Sequence, residues 1–71
     1  MKTYLEKLKD LREDRDLKQS DIAAILNVKQ NTYSQYENGT RKLPIEEFRK
    51  LCIFYGVSAD FLLDISPKIP T

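Results

Sequence analysis

The sequence predicts an all-α fold, a compact bundle of five short helices, on three observations. Apolar residues recur at helical spacing through most of the chain. The few residues that punctuate helices, Asn27, Gly39, Pro44 and Gly56, fall between those periodic stretches. No run alternates apolar and polar residues as a half-buried strand would. The 71 residues suffice for one domain and one modest core, since a chain of this size buries only about 60% of its unfolded surface. The domain is expected over residues 1–65, with residues 66–71, Ser-Pro-Lys-Ile-Pro-Thr, as a flexible C-terminal tail.

The first helix is expected near residues 3–15, with Tyr4, Leu5, Leu8 and Leu11 at helical spacing and charged residues between them. The second runs from about Gln19 to Leu26. Its apolar stripe is Ile22, Ala23 and Leu26, and Asn27 stops it because Asn tolerates the left-handed conformation. Val28 then plugs a three-residue turn. The third helix spans about Gln30 to Asn38 and ends at Gly39. The fourth starts with Pro44 in its first turn, places Ile45, Phe48, Leu51, Cys52 and Tyr55 on one face, and ends at Gly56. Ser58 caps a short fifth helix holding Phe61, Leu62 and Ile65.

Composition narrows the function. Hydrophobic content of 41% with 32% charged residues suits a soluble domain, and no apolar stretch approaches the length of a membrane span. The first residues lack an apolar signal core, so a cytoplasmic location is expected. Histidine is absent and the one cysteine, Cys52, lies in a helical apolar pattern where packing explains it. No enzyme activity, metal site or cofactor is therefore expected. The net charge of +1 conceals an uneven distribution: residues 1–16 balance, residues 43–71 are slightly acidic, and the excess of base lies in residues 17–42, where Gly39-Thr40-Arg41-Lys42 is free of acid.

Two short helices joined by a tight turn with an apolar plug let one helix rest on a DNA backbone while the next enters the major groove. Ala23 suits the close crossing of such helices and Val28 anchors the turn. In the third helix Tyr33, Tyr36 and Glu37 define the inner side, and Asn31, Ser34, Gln35 and Asn38 lie within about 60° of the opposite direction. That outer face is all amide and hydroxyl. Asn and Gln can pair with adenine edges, and Lys29 and Gln30 stand at the helix start, which reaches deepest.

The ordered set Leu17, Gln19, Ile22-Ala23, Leu26, Val28, Thr32-Tyr33-Ser34, Glu37-Asn38-Gly39, Pro44, Leu51-Cys52, Gly56-Val57-Ser58 and Asp60-Phe61-Leu62 resembles the Cro and repressor-like, Xre-type helix-turn-helix family. The resemblance runs from Leu17 to Leu63 and implies a lambda-repressor-like domain in which helices 2 and 3 form the helix-turn-helix. It implies base contacts from Lys29, Gln30, Asn31, Ser34 and Gln35, and phosphate contacts from Gln19, Asn38, Thr40, Arg41 and Lys42. It also implies an ion pair between Arg12 and Glu37, which would turn the acid inward and orient the third helix. The sequence departs from the family at Lys18 and Lys29, where Ser or Thr usually caps a helix; a lysine there can reach a phosphate instead. Asn27 replaces the usual turn glycine.

The implied function is sequence-specific binding of double-stranded DNA by a small bacterial or phage transcriptional regulator, a repressor acting by operator occupancy. The implied partners are the operator and a second copy of the chain, with a regulatory protein as a further candidate and the nucleoid as its place in the cytoplasm. Ile53, Phe54, Ile65 and Ile69 either finish the core or, through the fifth helix and tail, make a weak dimer contact. The rival reading is an antitoxin or adaptor module that mainly grips another protein.

Overall fold

The computed structural model describes residues 2–65, so the expected tail at 66–71 lies outside the described residues. Five helices succeed one another: α1 (Tyr4–Asp14), α2 (Gln19–Leu26), α3 (Gln30–Asn38), α4 (Ile45–Tyr55) and α5 (Ala59–Leu63). α1 starts at a reciprocal cap: the Thr3 hydroxyl accepts from the Glu6 amide at 3.2 Å while the Glu6 carboxylate accepts from the Thr3 amide at 3.0 Å. The Thr3-x-x-Glu6 pattern that makes this box is plain in the sequence. Pro44 stands just before α4 as its cap, one step outside the first turn.

Each helix is stopped by a residue in the left-handed region: Asp16, Asn27, Gly39, Gly56 and Asp64. In four cases an apolar residue follows, and its amide reaches back to a carbonyl in the last turn: Leu17 to Arg12, Val28 to Ala23, Val57 to Cys52 and Ile65 to Asp60, at 2.9 to 3.1 Å. These bonds satisfy carbonyls that the helix leaves open, and they turn the apolar residue back toward the bundle. Leu17, Val28 and Val57 pack against the core as a result. At Gly39 a Cβ would come within 3.4 Å of Leu5 Cδ1, and the φ of +80° would strain any other residue.

The core is Leu8 from α1, Ile22, Ala23 and Leu26 from α2, Tyr33 and Tyr36 from α3, Phe48, Leu51 and Tyr55 from α4 and Leu62 from α5. α3 packs on both α2 and α1, while α5 packs on α1. Tyr4 meets Phe48 edge to face with ring centroids 6.0 Å apart. Arg15, which caps the C-terminus of α1, lies over the Tyr55 ring at 5.1 Å and donates to the Tyr55 carbonyl at 3.1 Å, covering the end of α4. Lys7 does the same for α5, donating to the Phe61 carbonyl at 2.8 Å and pairing with Asp64 at 3.0 Å. A cation beside a helix C-terminus meets the negative end of the dipole, so α1 holds α4 and α5 by charge as well as by packing.

One apolar expectation is corrected, and of the two roles left open for Ile53, Phe54 and Ile65 the core one is removed. Ile45, expected on the buried face of α4, is 74% exposed. It sits roughly 80° around the helix from the mean direction of Phe48, Leu51 and Tyr55, and at the helix end. Ile53 is 67% exposed because it falls nearly opposite that face, and Phe54 is exposed as well. In α5 only Leu62 is buried and Phe61 is exposed; Ile65, expected within the fifth helix, lies beyond its end at Leu63 and is exposed as well. Cys52 is half-buried beside the core, and burial pushes its thiol above the ordinary value.

These placements set the expected response to truncation. Leu51→Ala, at a position with no exposure, should cost about 2 to 5 kcal/mol and lower the urea midpoint sharply, whereas Ile45→Ala should stay within about 0.5 kcal/mol. Equal shifts of the two midpoints would contradict the packing of α4.

Candidate nucleic-acid interface

Glu37 lies on the inner side of α3 with its side chain only 3% exposed. A carboxylate taken this far from water must be paired and hydrogen-bonded. Arg12 of α1 supplies two bonds, Nε to Oε2 at 3.0 Å and Nη2 to Oε1 at 2.9 Å. The third guanidinium nitrogen, Nη1, donates to the Leu17 carbonyl at 2.8 Å, just before α2. Gln19, at the start of α2, adds a bond from Nε2 to Oε1 at 3.2 Å. One carboxylate thus joins three helices.

Burial opposes the charge on Glu37, yet the bonds from Arg12 and Gln19, with the Arg12 charge, outweigh it and hold the carboxyl below its ordinary value. The bond to Glu37 likewise raises Arg12. Burial, followed by the Glu37 charge, raises the neighbouring phenol of Tyr33, and burial pushes Tyr55 up to about 12. Both tyrosines are therefore neutral core residues in this setting.

With Glu37, Tyr33 and Tyr36 turned inward, Lys29, Gln30, Asn31 and Asn38 are exposed and Ser34 and Gln35 half-exposed on the other side of α3. The turn that leads into this face is Asn27, left-handed with φ 58°, then half-buried Val28, then Lys29. Lys18 and Lys29 stand at the caps of α2 and α3, and neither makes a side-chain capping bond. At α2 half of a capping box survives, because the Asp21 carboxylate accepts from the Lys18 amide at 2.8 Å. Both ammonium groups are left to solvent and extend from the start of the two helices.

Three expected site residues are placed differently from the simple sequence picture. Gln19, expected toward a phosphate, turns its amide nitrogen inward to Glu37, whose second oxygen lone pairs need donors. Arg41, expected on the far backbone, donates from Nε to the Oε1 of Gln35 at 2.9 Å and so lies against the outer side of α3. Thr40 folds back, its hydroxyl donating to the Gln35 carbonyl at 3.3 Å. Lys42 is exposed in the α3–α4 loop, near these residues in sequence but bonded to none of them among the described residues. The Arg41–Gln35 bond carried no signal in helical periodicity, because one partner lies in a loop.

Comparison with known proteins adds an independent observation. A family model described as helix-turn-helix matches residues 8–62, which takes in all of α2, α3 and α4. Over 54 residues, 76% of the chain, the sequence is 44% identical to the cryptic phage CTXphi transcriptional repressor RstR of Vibrio cholerae, of which it covers 49%. It is 37% identical over 51 residues to the antitoxin PezA of Streptococcus pneumoniae, covering 72% of this chain and 32% of that protein. A solved transcriptional regulator from Listeria innocua superposes with a TM-score of 0.83 at 30% identity, over 94% of this chain and 63% of that one. The chain therefore spans about half the length of RstR and a third of PezA.

The Arg12–Glu37 pair makes a stability prediction. Arg12→Met should cost about 3 kcal/mol or more by stranding a buried carboxylate, and Arg12→Met with Glu37→Met should recover much of that loss in urea unfolding. Because Glu37 is depressed in the folded state, its contribution is complete above the ordinary carboxylate range near pH 4.3 and disappears as pH falls through the folded value. Glu37→Gln should flatten the loss of stability between about pH 5 and 2; an unchanged acid limb would contradict the assignment.

Proposed function

The chain belongs to the helix-turn-helix family, and from that premise we propose that it binds double-stranded DNA sequence-specifically and regulates transcription, as a repressor acting by operator occupancy. The observation that carries this is the amide-rich outer face of α3, which the inward Glu37 and the two buried tyrosines leave pointing away from the core. The action is binding, with the chain supplying no chemical step.

Two kinds of contact divide the site. Lys29, Gln30, Asn31, Ser34 and Gln35 face base edges, and Asn and Gln there can donate and accept in pairs. Lys18, Asn38, Thr40, Arg41 and Lys42 hold phosphates on either side and set the register. Gln19 can serve the backbone through its free amide N–H while the other holds Glu37. The ammonium groups of Lys18 and Lys29 take over helix starts that lack side-chain caps, so the lost capping, about 1 kcal/mol each, accompanies a gain in phosphate attraction. The similar RstR is a transcriptional repressor and the similar Listeria protein a transcriptional regulator, which supports this reading.

A single domain of this size makes few base contacts, so the binding species is a homodimer across half-sites about 34 Å apart. Exposed Phe61, Leu63 and Ile65 at the α5 end, with Ile45 nearby, supply apolar surface for a second copy. The place of action is the nucleoid of the cytoplasm. The likeness to the antitoxin PezA favours one second reading, in which the domain also grips a regulatory protein partner.

Selection of bound sequences from random DNA tests the proposal. The chain should enrich a two-fold motif, and Gln30→Ala with Asn31→Ala should relax the preference at the facing base pairs by about 1 to 3 kcal/mol each. Lys42→Ala should weaken all sequences alike and reduce the salt slope by about 1. A motif unchanged by the double substitution would contradict the base assignments, and no enrichment at all would favour the protein-binding reading.

A further inference from the structure

Gln35 is where the α3–α4 loop is fastened to the reading helix. Its main-chain carbonyl accepts from the amides of Thr40 at 3.0 Å and Arg41 at 3.2 Å, and from the Thr40 hydroxyl at 3.3 Å. Its side-chain Oε1 accepts from Arg41 Nε at 2.9 Å. The loop is thus held by four bonds to one residue, and the last of them fixes a side chain rather than the backbone.

This arrangement has an electrostatic consequence. Arg41 is exposed and forms no ion pair among the described residues, so its charge is not spent inside the protein. With Nε committed to Gln35, the planar group offers its two Nη nitrogens as an outward fork, the geometry that matches two neighbouring acceptors. Gln35 contributes its Nε2 hydrogens beside them. Guanine presents two adjacent acceptors, N7 and O6, in the major groove, whereas adenine presents one acceptor and one amino donor. The amino donor would face a cation with nothing to accept it. A lone glutamine prefers adenine; a glutamine paired with a guanidinium faces the opposite way.

We propose that Gln35 and Arg41 form one recognition unit that selects guanine in the major groove, with Arg41 the base-reading residue and Gln35 its positioning residue. The proposal rests on the DNA-binding reading above and changes two roles within it: Arg41 passes from phosphate anchor to specificity determinant, and Gln35 from base reader to the residue that positions it. The bond from Nε to Gln35 restricts the rotamers of the Arg41 side chain, which lowers the entropy lost when the fork meets a base.

The test is the selected motif and salt dependence of the full chain compared with Arg41→Ala, Gln35→Ala and Arg41→Lys, each checked for an unchanged unfolding midpoint since both positions lie outside the core. One guanine per half-site should lose its preference over adenine by about tenfold in Arg41→Ala and in Gln35→Ala, with the other positions unaltered. Arg41→Lys should lose the same preference while keeping the salt slope, because it retains the charge without the Nε tether or the fork. If Arg41→Ala instead weakens every sequence equally and leaves the motif intact, Arg41 is a phosphate anchor and the proposal fails alone. A wild-type chain that enriches no motif would overturn the DNA-binding reading together with it.

Discussion

A buried negative charge that must be answered on every side organises this domain. Glu37 faces inward from α3, and its partners come from α1 through Arg12 and from α2 through Gln19. Arg12 also holds the Leu17 carbonyl, so the entry to α2 is tied to the same group. Bonds of this kind have direction, which apolar packing lacks. Tyr33 and Tyr36 alone would tolerate some rotation of α3 about its axis, but a two-pronged guanidinium bond does not. The rotation it selects sends Gln30, Asn31, Ser34 and Gln35 outward. The pair is thus better understood as an orienting device than as a source of net stability, because desolvation offsets much of its attraction.

The second constraint is length. Helices of 5 to 11 residues cannot stand alone in water, and each must end where the next can begin. The repeated stop, a left-handed residue followed by an apolar one that packs on the core, meets both needs at the ends of α1, α2 and α4. The end of α3 differs at Gly39-Thr40, where a polar residue follows and the chain runs on through Arg41 and Lys42. There the loop is fastened by bonds to Gln35 and stays at the surface beside the reading face. The local chemistry of one helix end separates a core-forming turn from a ligand-facing one.

Much of the fold was legible because short amphipathic helices announce themselves in spacing. The limits of α2 and α3 follow from Asn27 and Gly39, and the inner tyrosines follow from their three-residue separation. The stops at Asp16 and Asp64 were harder to see, since aspartate is common on exposed helix faces and only occasionally left-handed. The mistaken burial of Ile45 has a physical cause: periodicity identifies a face without saying how much neighbouring structure is available to cover it. At the site, the family resemblance placed Arg12 opposite Glu37, and the two are bonded in the structure. The turning of Gln19 toward Glu37 and of Arg41 toward Gln35 depends on side chains finding partners across elements, and no pattern along one helix encodes that.

The near-neutral total charge is compatible with DNA binding because the relevant field is local. Lys18, Lys29, Arg41 and Lys42 are exposed at the starts of α2 and α3 and in the loop after α3, while the carboxylate of that helix is neutralised inside. The central claim is that this outer face, held outward by Glu37, enters the major groove. Isotope-filtered nuclear Overhauser contacts between labelled protein and its selected DNA test it most directly. Contacts from the Gln30, Asn31 and Ser34 side chains to thymine methyl or cytosine H5 protons, which line the major groove, are the predicted result. Contacts confined to sugar protons, or arising from α4 and α5 in place of α3, would contradict it.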